Sequence, residues 1–273
     1  TPEAPRPPTV VLAVHQARLE PWIALPAWRL AGLEERAAER SGRAQPDLAG
    51  LHRVRVPDDD PVALQALGEA LLTLNAVEFV DNDDLDVPPP ADIPPTTPDM
   101  VDRQSWVEPG AGIDAWSAWE VHGVTGAGIR IADCEYGWHH AHEDLVGGEI
   151  LPEEGQTPMA RVSELGWDHH GTAVGGQLVG QHNAYGVHGL APDAAFATYP
   201  EWTVEEGGRR GTAIANAIDD SAPGDVVLLE MQAGGPDGRL APAEVNMAVW
   251  TITRTGTDAG VIVVGAAGNG SSN

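Results

Sequence analysis

Between residues 128 and 264, short apolar runs alternate with helix-compatible segments. Residues 128–132, 194–198, 226–231 and 261–264 read as buried strands. Residues 170–179, 211–218 and 242 to about 253 read as helices between them. Few folds accept this order. Strands separated by helices pair in parallel, with helices on both faces, giving a doubly wound α/β sheet. In such sheets ligands bind outside the carboxyl ends of the strands. Asp133 follows directly on the first strand, and Asn269 follows the last through a Gly/Ala turn, so both belong in that crevice.

A smaller module precedes the sheet. Residues 9–14 read as a buried strand, 27–40 as a helix and 51–56 as a half-exposed strand. Asp60-Pro61 opens a helix running to about residue 74, and 77–80 is a last strand. The order β-α-β-α-β suits a small α+β unit of the split βαβ, ferredoxin-like kind. Residues 81–100 are acidic and rich in proline, which blocks helix and ladder pairing, so an exposed, cleavable linker is expected. The organisation is therefore a first module over 1–85, a linker over 86–103 and a larger domain over 104–273.

The formal charge is −26, and arginine supplies every one of the 15 basic side chains. Such a surface repels nucleic acid and anionic membranes, which excludes both as partners. Cys134 is the single cysteine, so no internal disulfide forms. No apolar run is long enough to span a membrane. The chain starts at Thr1 without a signal-peptide pattern, and a removed signal, hence a secreted or extracytoplasmic protein, is the expectation.

The stretch 168–174 (DHHGTAV) joins an imidazole to a glycine and an apolar run. Gly171 lets the backbone bend, and Thr172 starts a helix. His170 then either decorates a turn or faces a cleft, where it takes and returns a proton near neutral pH.

Six segments in order resemble the subtilisin-like serine proteases. Residues 126–133 (GAGIRIAD) resemble the strand ending in that family's catalytic aspartate. Residues 142–145 (HEDL) resemble its following turn, and 168–175 its catalytic histidine block. Residues 186–192 (GVHGLAP), 229–236 (LEMQAGGP) and 261–270 (VIVVGAAGNG) resemble the Gly-Val-Ala-Pro stretch after that block, the substrate-lining strand with its Gly-Gly turn, and the oxyanion-asparagine segment. The resemblance implies that Asp133 orients His170, that His170 is general base and then general acid, and that Asn269 donates to the oxyanion. It implies a substrate strand at Met231, Gln232, Ala233, Gly234 and Gly235, and a structural calcium ion at Asp144 and Asn183. The first module resembles the family's inhibitory propeptide, so the chain resembles an autoprocessing zymogen acting on peptide or protein substrates.

The chain also departs from the family. Asp133-Cys134-Glu135-Tyr136-Gly137 stands where Asp-Thr/Ser-Gly is usual, and the loop to Leu145 is two residues longer than the usual form. Glu135 reads as a solvated loop acid, Cys134 as a small buried thiol and Trp138 as packing. Gln232 and Ala233 replace the commoner Ser-Leu. The family's nucleophile motif, Gly-Thr-Ser-Met-Ala or a variant, does not occur, and Ser163, Ser221, Ser271 and Ser272 lack its context. The expectation is a second chain carrying the serine. The alternatives are an inactive pseudoprotease or peptide-binding fragment, and a zinc hydrolase using His139, His140, His142, Glu143, Asp144, His169 and His170.

Overall fold

The structure is a computed structural model that describes residues 17–56, 61–81, 97–110, 112–235 and 238–270. The strand expected at 9–14 and most of the linker lie outside the described residues.

The first module begins with β1 (Arg18–Pro21), α1 (Ala27–Ser41), β2 (His52–Arg55) and α2 (Pro61–Leu72). β1, which the sequence pattern does not reveal, pairs antiparallel with β2, Leu19 opposite Val54. α1 buries Leu30, Leu33 and Ala37 and stops where Gly42 turns left-handed at φ 68°. The strand expected at 77–80 is absent. Val77 packs with Leu67, Leu71 and Leu74, whereas Phe79 packs on the main core, so the run is held by two clusters and no ladder.

The rest of the chain adds β3 (Arg130–Glu135), β4 (Ile150–Pro152), α3 (Ala160–Glu164), α4 (Asp168–Val179) and β5 (Ala195–Pro200). A hairpin of β6 (Trp202–Thr203) and β7 (Gly207–Gly208) follows, then α5 (Arg210–Asp219) and β8 (Val226–Leu229). A second hairpin, β9 (Gln232–Gly234) and β10 (Leu240–Pro242), leads to α6 (Met247–Ala259) and β11 (Ile262–Gly265). α6 starts five residues later than the expected Pro242, because Asn246 caps it through bonds from the Ala248 and Val249 amides, after a short turn at Ala243–Val245.

Five strands form one sheet in the order β11-β8-β3-β5-β4, and every pairing is parallel. β3 is central, with Asp133 opposite Thr198 and Leu228. The two-residue alternation sorts its side chains. Ala132 and Cys134 join Ala197, Tyr199, Val227 and Leu229 against α5 and α6. Ile131 joins Phe196, Leu145 and Val179 on the face that α4 covers.

The first module sits on the α5/α6 side. Trp22, Ile23, Leu30, Leu33, Leu48 and Leu51 belong to the same buried cluster as Ile214, Ile218, Val249 and Ile252. The Trp22 ring lies flat against Gly211, where a Cβ would have no room. Ion pairs rim this contact: Arg29–Asp219 and Arg36–Asp219 at 2.6 Å, and Arg43–Asp258 at 2.7 Å.

Candidate active site

Three acidic or neutral positions of β3 share the face under α4: Ile131, Asp133 and Glu135. Glu135, at the carboxyl end, is fully buried and meets the first turn of α4. His170 Nδ1 donates to Glu135 Oε2 at 2.5 Å, a charge-assisted bond. Glu135 Oε1 accepts from the Tyr136 amide at 2.7 Å. The carboxylate thus holds the proton on Nδ1 and leaves Nε2 as the basic nitrogen. Burial pushes the Glu135 carboxyl up to about 7, against the opposing pull of its His170 hydrogen bond. The Glu135 hydrogen bond raises His170 above the ordinary imidazole value, outweighing burial.

The acid on His170 is therefore Glu135 and not the expected Asp133, and Glu135 is no solvated loop residue. Asp133 lies one pleat deeper, where Trp138 Nε1 donates to its Oδ2 at 2.8 Å. Its Oδ1 is buried without a hydrogen-bond partner. Burial first, and the neighbouring Glu135 charge second, hold the Asp133 carboxyl well above the usual carboxylate range. Trp138 thus has a polar task besides packing. Cys134 is buried on the opposite face, and burial pushes its thiol up, away from the reactive thiolate.

α4 begins at Asp168, two residues earlier than the expected His170, so Gly171 lies within the helix and not in a turn. Its absent side chain serves close approach. A Cβ there would strike the Gly137 carbonyl and come within 2.8 Å of Trp138 Nε1 and 2.9 Å of Glu135 Cγ. Thr172 is not a cap either; its hydroxyl donates to the Asp168 carbonyl and accepts from the His139 amide at 2.8 Å.

Asn269 is exposed, and its amide N–H donates to Gln232 Oε1 at 2.9 Å. Arg210 reaches the Gln232 carbonyl at 3.2 Å and pairs with the buried Glu201 at 2.7 Å. Gln232 therefore ties the Asn269 loop to the expected substrate strand, a role its departure from the commoner serine did not announce. Gly268, at φ 82°, lets this loop press on the Ala241 backbone. Met231, Gln232 and Ala233 are buried, Gly234 is exposed, and Gly235 bonds back to Arg239 across the hairpin.

The expected cation ligands stand near one loop. Asp144 is buried, its Oδ2 accepts from the Val187 amide, and its Oδ1 has no hydrogen-bond partner. Burial raises its carboxyl. Asn183 Oδ1 accepts from the Tyr185 amide at 3.0 Å, which leaves it a second lone pair. The buried, half-satisfied Asp144 carboxylate fits a hard cation.

Among the described residues no serine hydroxyl bonds to His170; those of Ser41 and Ser221 donate to the Ala37 and Ala217 carbonyls. The arrangement in which His139 and His170 would converge on zinc is also not formed. His139 Nε2 lies 3.1 Å from Asp168 Oδ2, while His170 is turned to Glu135.

An acid–imidazole pair thus stands at the carboxyl end of the central strand of a parallel, doubly wound sheet, where such folds bind their ligands. Residues 139–273, just under half of the chain, match the sequence model of the subtilase family. The major intracellular serine protease of Bacillus subtilis (strain 168) is 28% identical over 151 residues, covering 54% of this chain and 44% of that protein. The minor extracellular protease Epr of the same organism is 29% identical over 171 residues, covering 61% and 23%. Subtilisin DY of Bacillus licheniformis is 25% identical over 162 residues, covering 56% and 52%. The chain thus spans about half the length of these relatives, or less. Among solved structures, fervidolysin from Fervidobacterium pennivorans, a keratinolytic enzyme related to subtilisin, shares the fold at TM-score 0.50 and 14% identity, over 85% of this chain and 37% of that one. No described helix is long and apolar enough to cross a membrane.

Proposed function

We propose that the protein is a serine endopeptidase in which Glu135 orients His170. The observation that carries this reading is the His170 Nδ1–Glu135 Oε2 bond at the carboxyl end of the central strand. A serine hydroxyl supplied by a segment outside residues 1–273 attacks the scissile carbonyl while His170 Nε2 takes its proton. The oxyanion is met by the Asn269 side-chain amide, and His170 returns the proton to the departing amine. Water then hydrolyses the acyl-enzyme by the same proton path. The peptide lies along Met231–Gly235 as an added strand.

The same proposal makes residues 1–85 an inhibitory propeptide, joined by a cleavable linker, in an exported zymogen. Its support is the shared cluster around Trp22 and the arginine–aspartate rim. Asp144 and Asn183 hold a structural calcium ion in this reading, supported by the unpartnered Asp144 Oδ1; a calcium-selective chelator should lower the melting temperature.

A fluorophosphonate probe on the native protein, with any chain that travels with it, tests the central claim. Labelling should reach a serine on the co-purifying segment and fall away in His170→Ala with the fold retained. Absence of labelling in the wild type would favour the pseudoprotease or peptide-binding reading.

A further inference from the structure

We propose that His139, Asp168 and His169 form an accessory binding site for a transition-metal dication of the zinc type, separate from the Glu135–His170 pair. His139 belongs to the loop after β3 and is pinned over α4 by its amide bond to Thr172 Oγ1. Asp168 and His169 are the first two residues of α4. The two imidazole rings stack at 5.5 Å with 27° between their planes. One ligand atom from each residue lies within 4.8 Å of the others.

A plain ion-pair contact explains only part of this. His139 Nε2 stands 3.1 Å from Asp168 Oδ2, facing one carboxylate oxygen. The other, Oδ1, belongs to a side chain only 4% exposed and has no hydrogen-bond partner. His169 Nε2 stands 3.9 Å from it, too far for a hydrogen bond. A cation between them answers that buried oxygen, which otherwise costs free energy.

The donor set selects the ion. Two imidazole nitrogens and one carboxylate suit zinc, cobalt, nickel or copper, while calcium and magnesium take oxygen cages. Tetrahedral zinc with bonds of about 2.1 Å spaces its ligand atoms roughly 3.4 Å apart. The His139–Asp168 spacing already meets this, and a small side-chain rotation brings His169 in. The histidine side chains are 52% and 38% exposed, which leaves an entry path and a position for water. The ion would clamp the loop carrying Trp138 to the turn carrying His170. It takes no part in the proton path, because His170 Nδ1 is committed to Glu135.

The test uses the full chain, stripped of metal and titrated with zinc chloride by calorimetry, with cobalt(II) absorption as a second readout. One equivalent of zinc should bind with micromolar affinity or tighter, unaffected by excess calcium, and cobalt should give the intense visible band of a low-coordinate site. A hundredfold excess over the dissociation constant should raise the melting temperature by roughly 5 °C. His139→Ala and His169→Ala should each weaken binding about tenfold or more, and the double variant should abolish it. Wild-type protein that binds no equivalent of zinc overturns the proposal whether or not the variants fold. So does binding that survives in the folded double variant.

Discussion

The carboxyl end of β3 and the pleat beneath it present the same chemistry to different surroundings. Glu135 and Asp133 lie on one face of one strand, about 6.6 Å apart along it, and both are buried. Glu135 meets an imidazole and keeps a proton donor on each carboxylate oxygen. Asp133 meets an indole and leaves one oxygen unpartnered. Reach decides which acid serves the histidine: α4 comes down on the strand at Glu135, and the Trp138 ring covers what lies below. Burial raises both carboxyls, but the imidazole beside Glu135 pulls that one back toward its ionised form, whereas the indole beside Asp133 opposes the shift less.

Exchanging the acids one at a time should break this contrast most sharply. On the proposed function, Glu135→Gln should lower kcat about a hundred- to ten-thousandfold, because the imidazolium loses its counter-charge. Asp133→Asn should leave kcat nearly unchanged. The opposite order of losses in peptide hydrolysis would return the role to Asp133.

Gly171→Ala attacks the approach itself. The new methyl group collides with the Gly137 carbonyl and crowds Trp138 and Glu135, so α4 must shift away from β3. A stability loss of about 1–3 kcal/mol in urea is expected, with a falling hydrolysis rate. An unchanged rate would mean that the Glu135–His170 contact tolerates a displaced helix.

Trp138→Phe removes the donor to Asp133 and should cost about 1–2 kcal/mol of stability, with a smaller loss of rate than Glu135→Gln. Equal rate losses in the two variants would show the two acids working as one unit.

The smallest effect is in pH dependence. His170 must be neutral at Nε2 to act as base, and Glu135 raises its pKa, so the acid limb of the rate profile sits above an ordinary imidazole's position. Residual activity in Glu135→Gln should show that limb at lower pH. Stability follows the same pair. Glu135 is held at about 7 in the fold against 4.5 as its ordinary value, so its contribution is full below about 4.5 and is lost as pH rises to 7. His170, raised above 6.5, contributes fully below 6.5 and loses that as pH rises through its folded value. Denaturant midpoints should therefore fall between mildly acidic and alkaline pH, and Glu135→Gln should flatten the fall.

Much of this architecture was legible in the residues. Apolar runs separated by helical segments dictated the parallel sheet, because a strand buried on both faces needs continuous apolar sequence and a crossover long enough for a helix. His170 and the Asn269 turn were legible as local patterns. One further signal stood in the sequence: Glu135-Tyr136-Gly137 restores the acid-x-Gly spacing and removes the apparent two-residue excess before Leu145. Only the tertiary structure decided that Glu135 receives His170, that Gln232 holds the Asn269 loop, that Trp22 seats on Gly211, and that His139 meets Asp168 and His169. Alternation along a strand fixes which face a side chain takes, but not how high a helix on that face lands. That height is set by packing between residues far apart in the chain, here by the missing side chain of Gly171 on the backbone of Gly137.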